Sequence, residues 1–372
     1  MDYSEKRLND IIAGVSGPDE AAMEAARELQ SRLAKPPGSL GMLEELSIKL
    51  AGMTGIVKND LNERYLLVFC ADNGVFKQGV ASSPQSVTLA QTINLTKGKT
   101  GAAVLAKRFG VRMRVCDVGV NAVIRDPDVI SRKIAFGTGD ISEGPAMTRE
   151  QAVRAILTGA DLAAETAENG AQVLGIGEMG VGNTTTSSAV LAVLTGLDIR
   201  KLTGRGAGLT DEAYEKKINV IRKAISVNQP DPDDIIDTIS KVGGFDIAAM
   251  AGAFIGAAYK RVPVVIDGFI SIVAALCAYR LCPKAVNYMI ASHASYEIGY
   301  MAAADELGLR PLFDLGMRLG EGSGCPIAMM MLDAACDIIN HMATFEQAEI
   351  DDSYLDEIRD IDAFGIKEDT QI

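Results

Sequence analysis

The chain has 372 residues, 48% of them hydrophobic, which suffices for about two to three domains with a substantial buried core. It carries 36 basic and 49 acidic side chains, a net charge of −13, so it lacks the net basic character of nucleic-acid-binding proteins. Trp is absent and aromatic residues make up only 5%, which also argues against stacking on single strands. We therefore expect no nucleic acid among its partners.

Residues 1–55 have the apolar spacing of helices, with a break at 35–41. From residue 64, short apolar runs alternate with amphipathic stretches, as strands alternate with helices in α/β proteins. Strands buried on both faces form parallel sheets, so we predict a doubly wound α/β fold. The predicted strands are 65–70, 113–118, 172–176, 262–266 and 288–291, and the predicted helices are 85–109, 148–168, 184–196, 211–227, 269–281, 295–307 and 325–342.

The two ends of the chain are expected to form a separate part of the molecule. Residues 1–60 and about 325–372 would pack as a small helical domain, with the acidic tail 349–372 as a solvated helix and a frayed end. Residues 61–324 would form the large domain that carries the active site. We expect its catalytic residues at the polar strand ends, because open α/β sheets bind ligands outside the carboxyl ends of their strands.

Cysteine and histidine are too sparse to predict a transition-metal site. The six cysteines form no CxxC pair, and His293 and His341 lie far apart in sequence, although carboxylates could still hold Mg²⁺. The N-terminal segment is too polar for a signal peptide, and Asp267 and Gly268 interrupt the longest apolar stretch, 262–279. We predict a cytoplasmic protein with buried thiols, no metal and no membrane contact.

The segment 175–180 matches the dinucleotide-binding pattern GxGxxG and stands between a strand-like and a helix-like stretch. Glu178 inside it would repel a pyrophosphate, and Asp198 does not end a strand as a ribose-binding acid should. We favour a site for one phosphate, built from backbone N–H groups and hydroxyls, over the alternative of a tight turn with threonine caps. Its residues would be Gly180, Gly182, Asn183 and Thr184. An NAD(P)-dependent oxidoreductase is the runner-up function.

A second glycine run, 204–208, could close over the same ligand through Gly204 and Gly206, although alone it is an ordinary flexible loop. The sequence Gly-Lys-Thr at 98–100 resembles the end of a phosphate-binding P-loop. Ile93 stands where that motif requires its first glycine, so a nucleoside triphosphatase is rejected.

Glu321 is the main candidate for acid–base chemistry, since it lies between glycines after the apolar motif 315–319. If that motif lines a pocket, desolvation would suit the carboxylate to a general-base role. Capping of the helix that begins near Ser323 is an equally open alternative. Glu178 is a second glycine-flanked carboxylate, whereas pattern alone places Lys217 on the solvated face of a helix.

Together these segments resemble the nicotinate-nucleotide–dimethylbenzimidazole phosphoribosyltransferase family of cobalamin lower-ligand synthesis. The similar motifs follow the family order along nearly the whole chain. They are KPPGSLG at 35–41, ADNGV at 71–75, SSPQSVT at 82–88, GEMGVGNTT at 177–185, KVGGFD at 241–246, DGF at 267–269, SHASYEIG at 292–299 and MRLGEGSG at 317–324.

The resemblance implies a homodimer with a Rossmann-like large domain, and a reaction that needs no cofactor. Nicotinate mononucleotide and a benzimidazole would give an α-ribazole 5′-phosphate and nicotinate, with inversion at C1′. Glu321 would be the general base, with Glu178 and Lys217 as further catalytic residues and the 180–184 turn at the phosphate. Ser292 and Ser295 would contact nicotinate. The base pocket would comprise Ser83, Gln85, Met317 and Leu319.

The sequence departs from the family beside the acceptor base. Ser82 and Ser83 stand where family members often have a bulky residue, which leaves the preferred base open, including phenolic acceptors used by heteromeric relatives. A degenerate homologue that only binds the mononucleotide is the non-enzymatic alternative. Intact Glu321 and Glu178 argue against that alternative.

Overall fold

A computed structural model describes residues 3–355, which divide into two compact units. The larger unit comprises residues 3–16 and 63–328, and the smaller one comprises residues 17–62 and 329–355. The predicted helical domain began at residue 1, whereas residues 3–16 belong to the larger unit. The part of that prediction that concerns 356–372 lies outside the described residues.

The larger unit is built on a six-stranded parallel sheet. The spatial order β3-β2-β1-β4-β5-β6 is that of a Rossmann-like doubly wound sheet and reverses between β1 and β4. The predicted fold class is therefore confirmed, although β3 was not among the predicted strands. The strands are β1 (Arg64–Ala71), β2 (Arg112–Gly119), β3 (Val129–Ser131), β4 (Val173–Met179), β5 (Val264–Ile266) and β6 (Met289–Ala291).

Helices connect the strands and form most of the smaller unit. In the described part of the chain, no helix is both long and apolar enough to cross a membrane. The helices are α1 (Tyr3–Ala13), α2 (Glu20–Arg32), α3 (Met42–Thr54), α4 (Ser86–Thr96), α5 (Gly101–Arg108), α6 (Arg149–Glu168), α7 (Asn183–Thr195), α8 (Ile199–Leu202), α9 (Asp211–Asn228), α10 (Ile235–Val242), α11 (Phe245–Tyr259), α12 (Phe269–Leu281), α13 (Tyr300–Leu307) and α14 (Cys325–His341).

For two helices, the periodicity of the sequence was insufficient to predict their existence or their place in the fold. Helix α1 joins the larger unit because it packs on α6, where Arg7 forms a two-pronged ion pair with Asp161 (2.5 and 3.1 Å). Helix α11 is buried at every position from Phe245 to Ala258. A helix without a polar face has no amphipathic pattern, and the sequence analysis therefore missed it.

The smaller unit contains α2, α3 and the C-terminal part of α14. Ala22, Ala26, Ala51 and Ile339 form its buried cluster. The break predicted at 35–41 is a turn between α2 and α3, held by the buried ion pair between Lys35 Nζ and Glu44 Oε2 (2.8 Å).

Candidate active site

A cavity of about 250 Å³ lies at the carboxyl ends of β4 and β5, where open α/β sheets bind their ligands. Glu178 and Met179 at the end of β4 line the cavity, together with the turn that follows and the start of α7. The lining also includes residues from the segments 80–91, 205–209, 267–271, 293–297 and 318–321. The residues that line it come from six separate stretches of the larger unit.

The cavity brings together ten of the fifteen predicted site residues. These are Glu178, Gly180, Gly182, Asn183, Thr184, Gly206, Ser295, Ser83, Leu319 and Glu321. The other five do not line it, and they are Lys217, Gly204, Ser292, Gln85 and Met317.

The first two glycines of the GxGxxG pattern allow other segments to pack closely on the sheet. Gly175 and Gly177 lie inside β4, not in a turn. A Cβ on Gly177 would lie 2.5 Å from Gly322 N, and a Cβ on Gly175 would lie 2.6 Å from Cys325 Cβ. These glycines therefore make room for the loop that carries Glu321 and for the start of α14, which removes the structural basis for a dinucleotide fingerprint.

Glu321 is buried and lies in a loop with unusual backbone geometry. Gly320, Glu321 and Gly322 all adopt left-handed conformations, with φ of 82°, 62° and 84°. Its carboxylate accepts hydrogen bonds from Ala102 N (3.2 Å) and Gln91 Nε2 (3.4 Å). Since Ala102 lies in the first turn of α5, an unpaired helix N–H group stabilises negative charge on Glu321. The carboxylate faces the cavity and does not serve as the cap of α14.

Glu178 lies near the end of β4 among other buried acids. Its carboxylate accepts hydrogen bonds from the Asn183 amide and from Glu321 N (3.4 Å). Burial, followed by the negative charge of Asp246, raises the pKa of Glu178 to about 8. Burial also raises the pKa of Asp246 to about 6 and that of Asp267 to about 7. The Glu178 side chain is therefore mostly uncharged at neutral pH.

Lys217 of α9 is fully buried, which corrects the solvated position that its sequence pattern favours. Its Nζ donates hydrogen bonds to Thr184 Oγ1 (2.9 Å) and to the Gly204 carbonyl oxygen (3.0 Å). Burial lowers the pKa of Lys217 to about 8. Although it does not line the cavity, the lysine links the 180–184 turn to the second glycine run, so both predicted phosphate segments meet at one cation.

Three other predicted residues lie just behind the cavity wall. The Ser292 hydroxyl donates to the Asp267 carbonyl oxygen (3.1 Å). Gln85 accepts from Asn121 Nδ2 (3.4 Å), and the glutamine that reaches the cavity is Gln91, further along the chain in α4. Met317 is partly buried, but Leu319 is the residue of that motif that lines the cavity.

Several cavity residues were missed although they stand in motifs noted above. Asp267 and Glu297 line the cavity, and Asp246 accepts from the Asn183 amide (3.2 Å). The only sequence signal for Asp267 was its position directly after a strand, which turns share, and neither Asp246 nor Glu297 follows a strand or stands next to a glycine. Among residues 3–355, no group of three or more His, Cys, Asp or Glu residues is arranged to hold a metal ion.

The fold and the cavity define a class, a Rossmann-like protein in which a helix N-terminus and buried carboxylates line one cavity at the strand ends. A family model described as phosphoribosyltransferase matches residues 15–350. Proteins named nicotinate-nucleotide–dimethylbenzimidazole phosphoribosyltransferase from Clostridium perfringens (strain 13 / Type A) and Chloroflexus aggregans are 47% and 48% identical to this chain. Those alignments cover 96% and 92% of this chain, and 99% and 98% of the relatives.

A crystal structure of CobT from Thermus thermophilus superposes with a TM-score of 0.86 at 36% identity, over 89% of this chain and 99% of that one. The chain therefore belongs to the nicotinate-nucleotide–dimethylbenzimidazole phosphoribosyltransferase family and is a phosphoribosyl-transferring enzyme.

Proposed function

We propose that the enzyme transfers the phosphoribosyl group of nicotinate mononucleotide to a benzimidazole-type base in cobalamin lower-ligand synthesis. The products are an α-ribazole 5′-phosphate and nicotinate. The observation that carries this proposal is that the buried Glu321 carboxylate and the N-terminus of α7 face the same cavity. One supplies a base for the acceptor and the other an anchor for the phosphate. The relatives' names refer to the same two substrates.

The phosphate binds at the start of α7. A helix N-terminus and its dipole favour a bound anion, although Val181 N and Asn183 N of this turn already donate to Thr88 Oγ1 and to the Gly180 carbonyl oxygen. Lys217 adds a cation behind Thr184, to whose hydroxyl it donates. Gly206 lines the same part of the cavity, and Gly204 accepts from Lys217, so the 204–208 run closes the site. Asn183 is held by Glu178 and Asp246.

The chemistry needs a base for the acceptor and no acid for the leaving group. The bond between C1′ and the cationic nicotinate nitrogen breaks, and nicotinate leaves with a neutral ring nitrogen next to Ser295, with Ser292 behind it. The lone pair of one acceptor nitrogen forms the new bond to C1′ from the α face, which inverts the anomeric centre. Glu321 takes the proton from the other acceptor nitrogen. A base of this kind contributes roughly 10²–10⁴-fold to the rate.

The acceptor binds between Ser83 and Leu319. A benzimidazole is flat and mostly apolar, and it needs an apolar slot with a few polar groups. Leu319 supplies apolar surface, while Gln91 holds the Glu321 carboxylate that meets the N–H edge. Gln85 and Met317 have no place in this pocket. No metal is required, because the leaving group carries no pyrophosphate.

The active species is a homodimer in the cytoplasm. Tyr296, Ile298, Leu315 and Leu319 are each about half exposed or more, and a backbone hydrogen bond from Tyr296 N to Met317 O (3.0 Å) joins their two segments. Exposed apolar side chains beside a cavity favour a protein–protein contact. The six cysteines are buried, with no disulfide among residues 3–355, which suits a reducing compartment. Light scattering on the purified protein measures the dimer directly.

The test is direct product analysis. Purified protein is incubated with nicotinate mononucleotide and a panel of benzimidazoles and phenols, with and without EDTA, and products are identified by mass and anomeric configuration. We expect α-ribazole 5′-phosphate and nicotinate in equal amounts, unaffected by EDTA. Nicotinate release without a ribosylated acceptor would contradict transfer. Thermal stabilisation by NAD(P) but not by the mononucleotide would favour the oxidoreductase instead.

A further inference from the structure

We propose that Asp267 is the positioning residue for Glu321, and that its carboxylate holds the loop carrying the base in its reactive conformation. The inference rests on the general-base role proposed for Glu321 and adds to it a residue that acts only through that loop. Asp267 follows β5 directly and is 1% exposed. It stands 54 residues before Glu321 in the sequence, so the link exists only in the folded chain.

Both oxygens of the Asp267 carboxylate are used on the loop backbone. Oδ2 accepts from Gly322 N (2.9 Å), and Oδ1 accepts from Gly324 N (2.7 Å). These two N–H groups belong to the first and the third residue after Glu321. Because each carboxylate oxygen accepts from a different N–H group, the two bonds together fix the position and the direction of the loop.

The loop needs such a partner because its own backbone preferences oppose its shape. Glu321 has a φ of 62°, in the left-handed region that non-glycine residues seldom adopt. A residue held there persists only when its surroundings impose the conformation. Besides the bonds to Asp267, the loop is held by the bond from Ser323 N to the Gly320 carbonyl oxygen (3.0 Å) and by that from Glu321 N to Glu178 Oε1 (3.4 Å).

Asp267 is itself held rigidly in place. Its N–H donates to Ser271 Oγ (3.1 Å), whose hydroxyl donates to the Ile176 carbonyl oxygen of β4 (3.0 Å). The Ser292 hydroxyl donates to its carbonyl oxygen (3.1 Å). The sheet therefore determines the position of the base through Asp267.

The experiment is a double-mutant cycle. We measure kcat and both KM values for wild type, Asp267→Asn, Glu321→Gln and the double variant. An amide at 267 accepts one of the two N–H groups but turns an NH₂ donor towards the other. Since a misplacement of about 1 Å can cost 10²-fold, we expect kcat of Asp267→Asn to fall by about 10²-fold. The mononucleotide KM should change less than about threefold, and the double variant should be no slower than Glu321→Gln alone.

Asp117→Asn is the matched control. Asp117 is 1% exposed, lies near the end of β2, accepts from Gly119 N (3.1 Å) and Val120 N (2.9 Å) and pairs with Lys133, but it does not line the cavity. Measured below its unfolding temperature, this variant should keep wild-type kcat. If Asp267→Asn does not fold, Ser271→Ala loosens the same aspartate and should lower kcat a few-fold, again only when Glu321 is present.

Three results would overturn the inference. They are wild-type kcat in Asp267→Asn, losses that multiply in the double variant, or a raised mononucleotide KM at unchanged kcat, which would make Asp267 a binding residue. Wild-type kcat in Glu321→Gln would instead overturn the base assignment in the proposed function. The two failures are therefore distinguishable within one set of measurements.

Discussion

Two groups of residues, in the cavity and directly behind it, are built by the fold in different ways. The anchor group comprises Glu178, Gly180, Gly182, Asn183, Thr184 and Lys217, and the acceptor group comprises Ser83, Gln91, Leu319 and Glu321. Most anchor residues belong to β4, α7 and α9 and are buried, Lys217 completely. In the acceptor group, Leu319 is 57% exposed and Ser83 is in a loop. Under the proposed function, core elements would hold the phosphoribosyl donor and more exposed segments would meet the acceptor, so acceptor choice could change without disturbing the core.

The two glutamates show the same contrast in their neighbours. Glu178 lies beside the buried acids Asp246 and Asp267, which together with burial favours its uncharged form at neutral pH. Glu321 instead accepts from the Ala102 N–H and the Gln91 amide. In the proposed reaction these different neighbours go with different roles, with Glu321 as the base and Glu178 as an uncharged partner in the anchor group.

The strongest test of that contrast replaces each glutamate by glutamine. We expect Glu321→Gln to lower kcat by roughly 10²–10⁴-fold with an unchanged mononucleotide KM, because it removes the base alone. Glu178→Gln mimics a side chain that is already uncharged below its pKa of about 8, and should lose less than about tenfold at pH 7. Steady-state kinetics checks both, and a larger loss in Glu178→Gln would reverse the assignment.

A second test removes the cation of the anchor group. Lys217→Met should lower kcat/KM for the mononucleotide by about tenfold, the effect of losing one charge-assisted hydrogen bond, at unchanged acceptor KM. Because the pKa of Lys217 is about 8, wild-type kcat/KM should fall as pH rises past 8, and the variant should lose this fall. The exposed neighbour Lys216→Met is the control. If kcat/KM still falls above pH 8 in Lys217→Met, the fall is caused by ionisation of Glu178.

A third test enlarges the acceptor group. Ser83→Phe should raise KM a few-fold for dimethylbenzimidazole and less for unsubstituted benzimidazole, because the ring substituents would meet the new side chain. The mononucleotide KM should stay unchanged. Ser86→Phe, at an exposed position that does not line the cavity, is the control. Impaired mononucleotide binding with unchanged acceptor selectivity would place the pocket elsewhere.

The smallest expected effect is on stability. The pKa of Glu178 is raised from 4.5 to about 8 in the folded protein, so its stabilising contribution is complete below pH 4.5 and is lost as pH rises to about 8. Glu178→Gln cannot ionise. Its melting temperature should match wild type at pH 4.5 and exceed it by a few degrees at pH 9, whereas the exposed Glu28→Gln should show the same difference at both. Equal melting temperatures of wild type and Glu178→Gln at pH 9 would argue against a buried uncharged Glu178.

Local signals were enough to predict the fold class and much of the cavity lining. Strand ends, glycine flanks and the start of α7 are features of neighbouring residues, and Glu178, Thr184 and Glu321 do line one cavity. The roles of residues whose partners are distant in the sequence could not be predicted. The burial of Lys217 depends on how α9 packs, and the role proposed for Asp267 depends on its hydrogen bond from Gly322, 55 residues later. The choice of Gln91 over Gln85 depends on how α4 is oriented against the sheet.

The glycines of β4 have a consequence for reading other sequences. Residues two apart in a strand point to the same face of the sheet, so Gly175 and Gly177 leave one continuous strip of that face without side chains. The backbone of the loop that carries Glu321 can then lie directly on the backbone of β4, because the glycines place only hydrogen atoms between the two. A single added methyl group at residue 177 would displace the base without contacting either substrate. A G-x-G spacing inside a strand can therefore indicate that a loop with a catalytic residue packs on that strand, rather than a turn that binds a cofactor.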